Sequence, residues 1–261
     1  MDNDDQLSAF NFVSSSVGIS LLATVKPDDV IGNQLLPTIE RLRVECGSAA
    51  TSLIVDLVQG YESAVRKFGP CPPRWYSRVG LQQASGATTA FHRAKRLATF
   101  GKVLEFCTGM GGDALALGHC GVSVSSIESD PVLAAMARLN VSEAGLGQLV
   151  RIHTGRAEDW VIDGFDTIYA DPSRRTGLYR STSLRSISPS IEYLTNVIAR
   201  VPAAAIKLAP ASSISDVQSS FPSAEIEFVS VEGELKETVV WTSAAAHYSR
   251  RATALPSGAE L

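Results

Sequence analysis

What the chain has little of narrows its possibilities first. Four cysteines, Cys46, Cys71, Cys107 and Cys120, are scattered through 261 residues without any C-x-x-C pair. That spacing fits reduced thiols and argues against a disulfide framework or a cysteine zinc site. The four histidines, His92, His119, His153 and His247, show no ligand spacing, so no metal is expected. No window offers the ~18 consecutive apolar residues of a membrane helix, and the acidic start MDNDDQLSAF lacks the basic and apolar regions of a signal peptide. A cytoplasmic protein with no membrane contact is the expectation. Basic excess is lacking too: with a formal net charge of -4, any phosphate contact must come from local clustering.

What is present is enough for a full core and a small second domain, since 45% of the residues are hydrophobic. From residue 5 to about 68, apolar residues recur at mixed three and four spacing (Leu35, Leu36, Ile39, Leu42; then Leu53, Ile54, Leu57, Val58), punctuated by KPDD and CGS. This predicts short helices. GPCPPRWYSRVG, residues 69 to 80, reads as a boundary. Short apolar runs then alternate with helical patterns: KVLEFC, VSVSSI, LVRIHT, FDTIYA and AAAIKLA. Such alternation predicts an α/β, doubly wound parallel sheet. The last two runs, IEFVSV and TVVWT, have only VEGELKE between them and should form an antiparallel hairpin at the sheet edge. The expected organisation is an N-terminal helical domain (1–79), a nucleotide-binding domain (80–250) and a frayed tail (251–261).

The stretch VLEFCTGMGGDALAL, residues 103 to 117, runs from strand into glycines into helix. Such a loop aims backbone N–H groups and a helix N-terminus at its ligand. Gly109-Met110-Gly111 followed by Ala114 matches the dinucleotide fingerprint G-x-G-x-x-A, with Glu128 near the distance at which an acid meets a ribose hydroxyl. Glu105, however, puts a negative charge where a nicotinamide dinucleotide would rarely want one and a cationic ligand would. A further strand, FDTIYADPSRR, runs into Asp171-Pro172. Open α/β sheets bind at the carboxyl ends of their strands, so Glu105, Glu128 and Asp171 should converge there.

These residues resemble the class I S-adenosylmethionine-dependent methyltransferases, whose first motif is an acid followed by G-x-G. Here it reads Glu105, Phe106, Cys107, Thr108, Gly109, Met110, Gly111, with Cys107 where the usual first glycine stands. The substitution is similar to a branch reading D-x-x-C-G-x-G-G, which includes trimethylguanosine synthases and the bacterial methyltransferases that carry a THUMP-like domain. The second group is the closer likeness, through Asp171-Pro172-Ser173-Arg174-Arg175, the GELKE segment of residues 229–242 and RRATALPSG. The resemblance spans about residues 80 to 258, and no THUMP-like domain lies within the chain. It implies S-adenosylmethionine as cofactor, with Glu105, Cys107, Thr108, Gly109, Met110, Gly111 and Asp113 near its methionyl and ribose side, and Glu128 with Ser129 at the ribose diol. At the adenine, the family's Asp-Ala is replaced by Arg156-Ala157; either Glu158 or Asp159 substitutes, or backbone groups read the ring. Asp171 and Pro172 would gather the methyl acceptor, and Asp171 would also border the cofactor. LQQAS resembles the family's E-Q-A-T/S stretch and puts Gln83 near cofactor or substrate.

Arg174, Arg175, Arg180 and Arg185 form the main basic concentration, interleaved with Tyr179. Guanidinium groups beside a crevice suit phosphate, so RNA is the expected acceptor, with Lys207 a further candidate contact. Two other classes stay open: an NAD-linked oxidoreductase, disfavoured by Glu105 and by the lack of a hydride-handling pair, and a non-catalytic scaffold that keeps the cofactor fold.

Overall fold

The computed structural model describes residues 3–69, 75–174 and 184–261. It opens with α1 (Asn3–Val13) and α2 (Ser16–Ala23), separated by Ser14 and Ser15; the Ser15 hydroxyl accepts from the Gly18 N–H and caps α2. α3 (Leu35–Phe68) is broken at Gly47, where φ is 77°. That left-handed conformation is costly for any residue with a Cβ, and it falls inside the CGS that punctuates the sequence. α4 (Arg78–Gln83) and α5 (Ala87–Leu97) lead into the alternating region.

There the order is β1 (Val103–Phe106), α6 (Gly112–His119), β2 (Val124–Glu128), α7 (Pro131–Glu143), β3 (Val150–Thr154) and β4 (Thr167–Ala170). A small ribbon pairs β5 (Ser173–Arg174) with β6 (Ile187–Ser188), then α8 (Ile191–Ile198), β7 (Ala203–Leu208) and α9 (Ile214–Ser220) follow. The chain ends with β8 (Glu225–Val231), β9 (Glu234–Ser243), β10 (Arg250–Leu255) and β11 (Ala259–Glu260). The sheet runs β11-β10-β8-β9-β7-β4-β1-β2-β3, with β3, β2, β1, β4 and β7 parallel. β1 and β4 are buried along their whole length, as expected of strands covered by helices on both faces. This is the doubly wound α/β sheet that the alternation of apolar runs and helical patterns predicts.

Two expectations need correction. β8 and β9 do form an antiparallel pair, but β9 is wedged between β7 and β8 rather than lying at the edge. The residues expected to fray instead extend the sheet: β10 adds in parallel to β8, and β11 folds back on β10. Arg251 supplies the reason, since its guanidinium lies 3.0 Å from Glu225, 3.4 Å from Glu227 and 2.8 Å from Glu260. Buried acids in β8 need a cation, and the tail brings one.

Helices cover both faces of the sheet. Leu104, Phe106, Ile168, Ala204 and Ile206 pack with Leu194 of α8 and Val217 of α9. Val103, Tyr169, Ala205, Val239 and Trp241 pack with Ala94 of α5 and Leu115 of α6. Phe10, Leu42, Ile54 and Leu57 share a third cluster with Trp75, Met110 and Met136, so the N-terminal helices are seated on the glycine loop and on α7. No single helix among the described residues is long and apolar enough to cross a membrane; α1 and α2 meet that measure only together, bent by 74°.

Candidate active site

The site is built at the carboxyl ends of the parallel strands. β1 ends in Phe106, and Cys107 turns the chain with φ 64°, a left-handed conformation that explains why this position commonly holds glycine. Gly109 (φ 56°) and Gly111 (φ 87°) continue the turn into α6. A Cβ on Gly109 would meet nothing within 4 Å, so the loop faces open space there. Burial pushes the Cys107 thiol far above its ordinary pKa, which leaves it an unreactive filler.

Glu105 is 1% exposed and pairs across the sheet with Ser126 and Tyr169. Its carboxyl accepts from the Thr108 hydroxyl at 2.9 Å and from the Ser126 hydroxyl. Burial, with the nearby negative charge of Asp113 adding to it, pushes this carboxyl up to about 8. A carboxyl so placed, with hydroxyls as its hydrogen-bond partners, is complementary to an arriving cation. Glu128, at the end of β2, accepts from the Gly109 N–H at 2.8 Å and from the Asp130 N–H at 2.9 Å, so it braces the glycine loop against the start of α7. Ser129 beside it is exposed. Asp130 caps α7 through the Val132 and Leu133 N–H groups, with Pro131 at the first helical position.

Asp113 sits elsewhere than expected. It is buried against Arg93 of α5, which it shares with Glu237 of β9, while the Ser85 hydroxyl donates to it at 2.9 Å. Burial alone would raise its pKa, but Arg93 and Lys207 hold the carboxyl below the usual range. Asp113 is thus committed to positioning α6. The Met110 side chain likewise points into the N-terminal core rather than the crevice, and its carbonyl accepts from Asn140 at 3.0 Å.

Asp171 follows β4, its N–H bonded to the Phe106 carbonyl at 3.2 Å, which holds it beside the end of β1. Its carboxylate pairs with Lys207 of β7 at 2.6 Å. Pro172 beside it is buried. Lys207 therefore does reach the crevice, as the partner of an acid. Beyond β3, Arg156 is exposed and lies 3.5 Å from Glu158, while Ala157 is buried and its carbonyl accepts from the Tyr193 hydroxyl at 2.5 Å. That leaves backbone rather than the Arg156 side chain facing inward. Gln83 is exposed at the end of α4, and the polar side chain of that stretch turned inward is Ser85. Arg175 and Arg180 lie outside the described residues; of Arg174 only the backbone, in β5, is described.

Sequence reasoning passes over Arg93 and Ser85, and reads Asn140 only as the close of the helix after the second strand, whereas it lies inside α7. Asn140 is fully buried, donates to Trp75 and Met110 carbonyls and accepts from the Trp75 N–H, binding α7 to the glycine loop and to the segment between α3 and α4. An asparagine in the middle of the apolar ARLNV run was the available signal. Two surface cavities of about 320 and 350 Å³ lie by β3 and at the amino ends of β1 to β3, away from the strand-end acids. Among the described residues, no group of three or more metal-ligating side chains gathers.

A buried acid near the end of the first strand, a glycine turn into a helix, an acid ending the second strand and an acid after the fourth, all at the carboxyl rim of this sheet, define the class I methyltransferase fold. No protein-family model matches the chain. Over 232 residues it is 29% identical to uncharacterized S-adenosylmethionine-dependent methyltransferases of two Mycobacterium tuberculosis strains, an alignment covering 84% of this chain and 62% of theirs. The chain thus spans somewhat under two thirds of the length of these relatives. A crystal structure of a candidate methyltransferase from Porphyromonas gingivalis W83 superimposes with a TM-score of 0.65 at 23% identity, over 95% of this chain and 60% of that one.

Proposed function

We propose that the protein is an S-adenosylmethionine-dependent methyltransferase acting on RNA, with a base or amino nitrogen as the methyl acceptor. The observation that carries the reading is Glu105: a fully buried carboxyl facing the glycine loop, hydrogen-bonded to hydroxyls and suited to a ligand that brings positive charge. When bound, the cofactor supplies an electrophilic methyl group on a sulfonium, and the protein's part is chiefly to position the acceptor for in-line attack. Glu128, which braces the loop, would receive a ribose diol, and the backbone around Ala157 would receive adenine. Asp171 with Pro172 would hold the acceptor nitrogen, its carboxylate accepting the N–H and leaving the lone pair free. The RNA assignment draws on the Arg174 to Arg185 concentration that follows this motif. An NAD-linked oxidoreductase is disfavoured by the lack of an evident hydride-handling Tyr-Lys or His-Asp pair in the sequence.

Titration calorimetry with S-adenosylmethionine, S-adenosylhomocysteine and NAD tests the cofactor. Binding of the first two, weakened at least tenfold in Glu128→Ala, is the expected result, and binding of NAD alone overturns the reading. For the acceptor, transfer of labelled methyl groups to total RNA should be lost in Asp171→Ala with S-adenosylhomocysteine binding retained. Normal turnover by that variant would remove Asp171 from the mechanism. RNA binding should weaken steeply as salt rises from 50 to 200 mM, as counterion release requires.

A further inference from the structure

The cofactor's amino-acid end carries an ammonium and a carboxylate, and Glu105 accounts only for the first. Other cations of this region are committed: Arg93 to Asp113 and Glu237, Lys207 to Asp171, Lys236 to Glu234. Lys67, in the last turn of α3, is different. Among the described residues its one hydrogen bond goes to a neutral acceptor, the Leu81 carbonyl of α4, at 2.5 Å. An ammonium has three N–H donors, so two remain.

The last turn of α3 is also fixed over the glycine loop. Phe68 stacks on Tyr76 with ring centroids 4.7 Å apart, and its ring lies 3.9 Å from where a Cβ on Gly112 would stand. α4 approaches the loop as well, close enough that a Cβ on Gly80 would clash with the Met110 methyl. Lys67 thus hangs from one element that touches the loop and bonds to another. We infer that Lys67 is the residue that receives the α-carboxylate of the cofactor, closing a zwitterion clamp with Glu105 on the opposite side. This rests on the proposed cofactor. Burial, then repulsion from Lys207 and Lys236, lowers the Lys67 ammonium to about 8, the condition of a cation that a nearby anion would relieve.

The test is a binding cycle on the whole chain. S-adenosylhomocysteine and its decarboxylated analogue, which lacks only the carboxylate, are titrated into wild type, Lys67→Met and Lys67→Arg, each first shown to melt as wild type does. Lys67→Met should weaken S-adenosylhomocysteine by about 10- to 100-fold, the range for a lost charge-assisted hydrogen bond. It should leave the decarboxylated analogue unchanged, and Lys67→Arg should restore part of the difference. Equal affinity of wild type and Lys67→Met for S-adenosylhomocysteine, or equal losses for both ligands, overturns the inference while leaving the cofactor assignment standing. If wild type binds neither ligand, the cofactor assignment itself falls, and this inference with it.

Discussion

Glu105 joins fold stability and ligand binding in one titration. In the unfolded chain its carboxyl ionises near 4.5, and in the folded protein near 8, because burial and the negative charges of Asp113 and Asp171 oppose ionisation more than the hydrogen bonds from Ser126 and Thr108 favour it. Below about pH 4.5 both states carry the proton and nothing is lost. Between the two values the unfolded state releases its proton and the native state keeps it, so stability falls as pH rises and stays reduced above 8. Glu105→Gln should therefore be more stable than wild type at pH 8.5, with the advantage shrinking toward pH 5. Urea denaturation at the two pH values checks this, and a constant difference would show that the carboxyl titrates normally. Binding of a cation should draw the proton off. Calorimetric enthalpies for S-adenosylmethionine at pH 7 should accordingly differ between phosphate and Tris buffers. The sequence marks Glu105, Glu128 and Asp171 because a strand end followed by glycine or proline is a local pattern. It could not mark Lys67 or Arg93, whose importance comes from neighbours 14 to 144 residues away.

Among the elements, Arg93 is the fastener that makes one unit of α5, α6 and β9. It is 1% exposed and lies between the carboxylates of Asp113 and Glu237, with the Ser85 hydroxyl as a further partner at 2.7 Å. Removing it leaves Glu237 buried without its cation and Asp113 with only the charge of Lys207, itself paired with Asp171. Arg93→Met should cost about 3–5 kcal/mol, the usual penalty for breaking a buried pair. Adding Glu237→Leu and Asp113→Asn should return a good part of that, because the charges then leave together. Thermal melting of the single and triple variants decides, and a mild effect of Arg93→Met would mean that water reaches the cluster. This network also gives the GELKE segment its meaning: Glu237 is the buried partner of Arg93. The two apolar runs flanking that segment were readable as paired strands. Their order in the sheet was not, because β9 is apolar enough to serve at an edge or inside, and the long-range pairing with β7 decides between them.

At the scale of the molecule, the sheet divides into a half that carries the site and a half that holds it in place. β1, β2, β4 and β7 present the strand-end groups, while β8, β10 and β11 lie beyond β9 and contribute none of them. The outer half is pinned by Glu225 and Glu227, both fully buried and ringed by Arg96, His92, Trp241, Thr253 and Arg251. Burial alone would raise the Glu227 carboxyl, but hydrogen bonds from His92, Thr253 and Trp241 bring it down to about 2. Its stabilising contribution is thus present above about pH 4.5 and is lost as pH falls toward 2. Ending the chain at residue 249 removes Thr253 and Arg251 from this cluster and bares β8 as a long edge strand. The truncated protein should melt several degrees lower at pH 7 and aggregate with rising concentration, and the gap in melting temperature should narrow as pH is brought down to 3. Its affinity for S-adenosylhomocysteine at low temperature should stay within about threefold of wild type, because no strand-end residue of the crevice is touched. Loss of that binding in a protein that still melts cooperatively would mean that the outer strands set the geometry of the site, and that the sheet works as a single unit.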